Sequence, residues 1–144
     1  MNKQRKNSGV ASLSVDIKNI SKELFSIQAD ECALAVAQAG GGAHGRMNSP
    51  TQLRRFYDEL EMWYSQVFNK NGFEERTKKF NDILPFIHML IAKVAYSEGR
   101  NHVERTFRNL FSGVIKQIDT VDDLRNAKLF MEAFLGFYRL HRPR

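Results

Sequence analysis

The chain has a single cysteine, Cys32, in 144 residues, which excludes an internal disulfide and any cysteine-rich zinc site and fits a reducing compartment. The expected location is therefore the cytoplasm. Long apolar runs are also lacking: the densest, ILPFIHMLIA over residues 83–92, is well short of the roughly 20 residues a membrane span needs, and it contains a proline and a histidine. The basic start MNKQRKN is not followed by the continuous apolar stretch of a signal peptide, so secretion is not expected. Strand-like alternation is absent, there is no internal repeat, and prolines number only three. Acidic charge is in deficit. With 22 Lys and Arg against 16 Asp and Glu, the formal charge of +6 favours a polyanionic partner over an acidic one.

What is present is helical periodicity. With 42% hydrophobic residues, the chain can bury one core, and we expect an all-α fold: a compact bundle of about five helices whose N-terminal helix is loosely attached. Residues 1–11 read as a basic, solvated tail. A first helix is predicted over about 15–38 from the spacing of Ile17, Ile20, Leu24 and Ile27 and the alanine-rich stretch that follows. Gly40 stops it, and the glycine run through Gly45 reads as a linker, so residues 1–48 form an N-terminal arm and 49–144 the main helical domain. Ser49 as cap and Pro50 in the first turn open a second helix with apolar residues at Leu53, Phe56, Tyr57, Leu60, Trp63, Tyr64, Val67 and Phe68. A third stretch spans about 73–98 and contains Pro85, which either kinks it near Asn81 or lets it restart at Asp82. Its second half is apolar nearly all round, which marks a central helix closed by Gly99. Asn101 and Glu104 form a cap signature for a fourth helix burying Val103, Phe107, Leu110, Phe111, Val114 and Ile118. A fifth follows Thr120 and buries Leu124, Met131, Phe134, Leu135 and Tyr138.

Catalytic patterns do not emerge. Gly40, Gly42 and Gly45 match G-x-G-x-x-G in letters only, since an alanine-rich helix precedes them where a strand is needed, and Arg46 and Met47 replace the Lys and Ser or Thr of a phosphate loop. The inward Glu-x-x-His pairs of a helical metal site are missing, so neither metal nor cofactor is expected. His44, His88, His102 and His141 are isolated and read as structural, and nothing marks Cys32 or any serine as an activated nucleophile.

Basic residues on helix faces are the remaining chemistry. Arg54 and Arg55 sit near a helix N-terminus that disfavours cations by a few tenths of a kcal/mol or more. Two readings stand: pairing with Asp58 and Glu59 four residues on, at most about 0.5 kcal/mol in that orientation, or an anion held jointly with the helix end. Lys93, Tyr96 and Arg100 share one side of the central helix, with Lys93 the only charge between Asp82 and Glu98. Lys93 either snorkels past the core or meets a ligand, and Arg100 either complements the helix C-terminus or does the same. Tyr96 is the one aromatic placed to stack on a base, core packing being its other reading. Arg105, Arg108, Ser112 and Lys116 form a second polar stripe opposite the apolar face of the fourth helix, which is either a binding face or a solvated one.

Two motifs, Thr51-Gln52-Leu53-Arg54-Arg55-Phe56 and Lys93-Val94-Ala95-Tyr96-Ser97-Glu98-Gly99-Arg100, followed by the aromatic segment KLFMEAFLGFYRLH, resemble the small subunit of type III-A CRISPR effector complexes, the Csm small subunit family. The resemblance covers about residues 49–138. It implies a helical, non-catalytic, RNA-binding protein present in several copies beside the guide RNA and target RNA, with large and backbone subunits as partners in antiviral defence. Arg54 matches the first motif's arginine, and Lys93 and Arg100 match the basic positions of the second. Arg55, Tyr96, Arg105, Arg108 and Lys116 are candidates from the residues alone. Base pairing in the guide would supply sequence specificity, the protein reading backbone and shape. A rival reading takes residues 92–111 as a helix-turn-helix DNA-binding regulator, and another class is a purely structural helical adaptor. Self-association is a further expectation, as a homodimer in isolation if the stretch with Pro85 forms one long helix.

Overall fold

The computed structural model describes residues 13–42 and 45–143, so the basic tail over 1–11 and His44 lie outside the described residues. Among the described residues five α-helices follow one another: α1 (Ala29–Ala39), α2 (Pro50–Phe68), α3 (Phe73–Gly99), α4 (Arg105–Lys116) and α5 (Val121–His141). Among the described residues there is no strand, and no helix is long and apolar enough to cross a membrane.

The N-terminal part differs most from expectation. Residues 13–23 are not helical, because side chains from elsewhere satisfy their backbone. The Ile17 N–H donates to Gln117 Oε1 at 2.9 Å, Gln117 Nε2 donates to the Val15 carbonyl at 2.7 Å, and Asn126 Nδ2 donates to the Ile17 carbonyl at 2.9 Å. Lys18 adds ion pairs to Asp123 at 2.6 Å and Asp119 at 3.1 Å. Burial pushes the Asp123 carboxyl up, but the bonds from Lys18, the Asp119 N–H and Thr120 outweigh it and hold the group below its ordinary value. A π-helical turn over Leu24–Gln28, closed by Gln28 N–H to Glu23 carbonyl at 2.9 Å, then leads into α1. Ile17 and Leu24 are buried while Ile20 and Ile27 are exposed, so the four do not form one helical face.

The attachment of α1 is closer than its glycine-rich exit suggests. Ala29, Cys32, Ala33, Val36 and Ala37 are buried, and the small alanines let α1 pack tightly along α5. His141 near the end of α5 lies 2.6 Å from Asp30. Gly40 and the positive φ of Gly41 (103°) and Gly42 (73°) do end the helix, as expected of glycine there.

The remaining helices begin largely where their caps say. Ser49 Oγ accepts from the Gln52 N–H at 3.2 Å ahead of Pro50, and Gly72, at φ 92°, opens α3. Thr120 and Asp123 form a reciprocal capping box on α5. Pro85 neither breaks nor restarts α3, which runs unbroken for 27 residues, about 40 Å. Its buried residues are Phe80, Ile83, Ile87, Leu90, Val94 and Ser97, a single stripe alternating three and four. The helix is therefore one-sided where an all-round apolar surface was expected: Phe86 and Met89 stand 51% and 52% exposed. Asn101 closes α3 where a cap for α4 was expected. It adopts φ 62°, its N–H donates to the Glu98 carbonyl at 2.9 Å, and the His102 N–H donates to Ser97 at 3.0 Å, the double bond of a Schellman turn. Glu104 caps α4 instead, accepting from the Thr106 N–H at 2.7 Å. The core gathers between α2, α4 and α5, where Phe56, Phe107, Phe111, Phe134 and Tyr138 contact one another.

Candidate nucleic-acid interface

The first turns of α2, the end of α3 and the turn into α4 meet around a concavity of about 310 Å³. Gln52, Arg55 and Glu59 line it from α2, Lys93, Tyr96 and Ser97 from α3, and Arg100 and His102 from the turn. Two sequence signals thus converge on one place. The start of α2 holds because Ser49 and Pro50 fix its first turn, and the end of α3 holds because Asn101 reverses the chain there.

Within this site Lys93 Nζ donates to both carboxylate oxygens of Glu59 at 3.0 Å, joining α3 to α2. This is the partner that a lone lysine on an apolar stretch requires. The pair is half exposed, so it contributes at most about 1 kcal/mol and leaves Lys93 on the rim. Glu59 was also the expected partner of Arg55. Its engagement by Lys93 leaves Arg55 without a carboxylate in ion-pair range among the described residues. Arg100 Nη1 donates to Tyr96 Oη at 3.0 Å, with the guanidinium 5.7 Å from the ring centroid, and the tyrosine hydroxyl raises the arginine further above its ordinary value. Tyr96 is 66% exposed, so core packing does not account for it.

The other candidates stand apart from this concavity. Arg54 faces a different hollow of about 200 Å³ with Pro50, Thr51, Leu135, Tyr138 and Arg139. It pairs with Asp58 at 3.8 Å and lies 5.8 Å from the Tyr57 ring centroid. Arg108 and Arg105 reach Glu98 at 2.6 and 3.9 Å. Glu98 is two positions from both Tyr96 and Arg100, which on a helix places it on another side of α3. The expected stripe along α4 is interrupted, because Ser112 is buried while Lys116 is exposed. Helix α4 buries Thr106, Phe107, Leu110, Phe111, Ser112, Val114 and Ile115 and ties two of its outward arginines to Glu98, which leaves a narrow edge for a recognition helix in a DNA groove.

Sequence reasoning did not include Gln52 or His102 in the site, nor Arg139 beside Arg54. The signal for His102 was its place two residues after Arg100; its chain reversal toward α2 is a tertiary fact. His88 and His141 are structural as expected, His88 Nε2 lying 2.9 Å from the Ile118 carbonyl. Burial pushes the Cys32 thiol up to about 11, which leaves it protonated and a poor nucleophile.

A family model described as Csm2 Type III-A matches residues 28–144. The match begins inside what was expected to be a separate arm, so α1 belongs to the family's pattern along with the helices it packs on. No curated protein matches the chain, and no solved structure does.

Proposed function

The chain belongs to the Csm2 type III-A family, the small subunit of the multisubunit type III-A CRISPR effector complex, and from that premise we propose that it is a non-catalytic RNA-binding subunit. In this reading several copies stack along the guide RNA and target RNA beside the large and backbone subunits, in antiviral defence. Each copy contacts the backbone without reading sequence. The observation that carries the proposal is the convergence of Arg55, Lys93, Tyr96 and Arg100, from two helices and a turn, on one concavity whose only carboxylate among the described residues is already engaged by Lys93. The α2 terminus beside them has no acidic residue in its first turn, so its partial positive charge adds to theirs. Arg54, Arg105, Arg108 and Lys116 would extend the contact as flanking charges. Chemistry on the target would belong to other subunits.

Titrating the protein with two unrelated single-stranded RNAs at several salt concentrations tests the proposal. Affinities should agree within about tenfold and fall with salt, each neutralised phosphate contributing about 0.7 to the slope of log K against log salt. Replacing Arg55 and Arg100 together with alanine should lower that slope by about 1.4 while changing stability by about 0.5 kcal/mol or less per site. A flat salt response, or strong preference for one sequence, would overturn the reading.

A further inference from the structure

Backbone contact alone does not explain Tyr96. A ring exposed to 66% on the rim of a concavity leaves apolar surface in water, and its hydroxyl is held by Arg100 at 3.0 Å. The restraint orders the ring beforehand, which lowers the entropy lost when something stacks on it. Beside it the charges are divided. Lys93 occupies both oxygens of Glu59, so Arg55 and Arg100 keep their positive charge for an incoming anion, while Gln52 and His102 add polar groups to the wall. The volume of about 310 Å³ is at the small end of ligand pockets. An aromatic face next to two available guanidiniums is what a base with its own phosphate requires. A paired A-form helix keeps its bases stacked inside and cannot offer that face.

We infer that this concavity receives one unstacked nucleotide of single-stranded RNA, its base against the Tyr96 ring and its phosphate between Arg55 and Arg100. The inference rests on the RNA-binding reading above and adds to it a base contact that is indifferent to base identity. Gln52 and His102 border the site without defining a base-reading pattern.

The test compares a uridine 12-mer with an abasic ribose-phosphate strand of the same length, bound by the full chain. Stacking of one base corresponds to about tenfold in affinity, so the uridine strand should bind about tenfold more tightly than the abasic one. Tyr96→Ala should bring that ratio to about one without altering the salt slope, and Tyr96→Phe should keep most of it. Arg55→Ala should weaken both strands equally, lower the slope by about 0.7 and preserve the ratio. Salt-dependent binding with a ratio near one in the unaltered protein would overturn the nucleotide site and leave the backbone reading standing. A ratio of ten that survives Tyr96→Ala would overturn it too, by placing the base elsewhere. Failure to bind either strand would overturn both readings.

Discussion

Asn48 has a left-handed backbone, φ 59°, and no exposed surface. Its side chain donates to the Val36 carbonyl at 3.1 Å and accepts from the Glu104 N–H at 2.8 Å, while its own N–H donates to the His102 carbonyl at 3.0 Å. Its carbonyl accepts from the Tyr138 hydroxyl and from Arg142 Nη1. One residue thus holds the end of α1, the turn into α4 and the end of α5 at the point where α2 begins. Because Arg55 follows on α2 and Arg100 precedes that turn, the same bonds fix the two halves of the concavity against each other. Asn48→Ala would leave the Glu104 N–H without its partner and force a Cβ-bearing residue with no local hydrogen bond into the left-handed region. The expected loss in urea unfolding is about 2–4 kcal/mol. Asn48→Gly removes the bonds but not the backbone freedom, so it should be about 1 kcal/mol less damaging. Two variants within about 0.5 kcal/mol of the unaltered chain would show that the hub does not stabilise the fold. In the sequence Asn48 was legible only as the last residue of a linker, since all its partners but Val36 are more than fifty positions away.

Helix ends set by adjacent residues were legible, and those set by distant ones were not. Ser49 with Pro50, Gly72, and Thr120 with Asp123 act within one turn, and each begins a helix where expected. The segment around Ile17 has helical spacing but takes its hydrogen bonds from Gln117 and Asn126, about a hundred residues on, and so leaves the helix. Pro85 shows the same override inside an element. Proline in a helix interior costs about 3 kcal/mol, yet α3 continues because Phe80, Ile83, Ile87, Leu90 and Val94 bury one unbroken stripe in the core. Pro85 itself is exposed, as is Asn81, whose carbonyl lacks the helical N–H that a proline at position 85 does not carry. Pro85→Ala should therefore stabilise the chain by about 1–3 kcal/mol in chemical unfolding, by restoring a backbone bond without removing core contacts. A loss of stability would mean instead that the backbone geometry proline imposes at position 85 is needed to seat the stripe.

At the scale of the whole molecule, only part of the site was readable, because sequence spacing orders residues along one helix and not between two. Lys93, Tyr96 and Arg100 could be placed together from their three-and-four spacing, but that Arg55 joins them, and that Glu59 pairs with Lys93 across α2 and α3, depends on how those helices pack. The same packing bears on self-association. A long α3 was expected to need a second chain to cover it, through exchange of terminal helices. It is long, yet α2 and α4 of its own chain cover the buried stripe, and α1 and α5 are docked on each other, so exchange has no apolar surface of α3 left to satisfy there. What stays exposed, Phe86 and Met89 with the distant Phe73 and Tyr96, is scattered along about six turns of helix and offers a small area compared with a stable interface. We therefore expect light scattering to give a mass near 16.6 kDa across a concentration series of the isolated protein, rising to several copies only on single-stranded RNA long enough to span more than one site. A mass twice that value without RNA, growing with concentration, would show that the exposed side of α3 associates by itself and that self-association does not depend on nucleic acid.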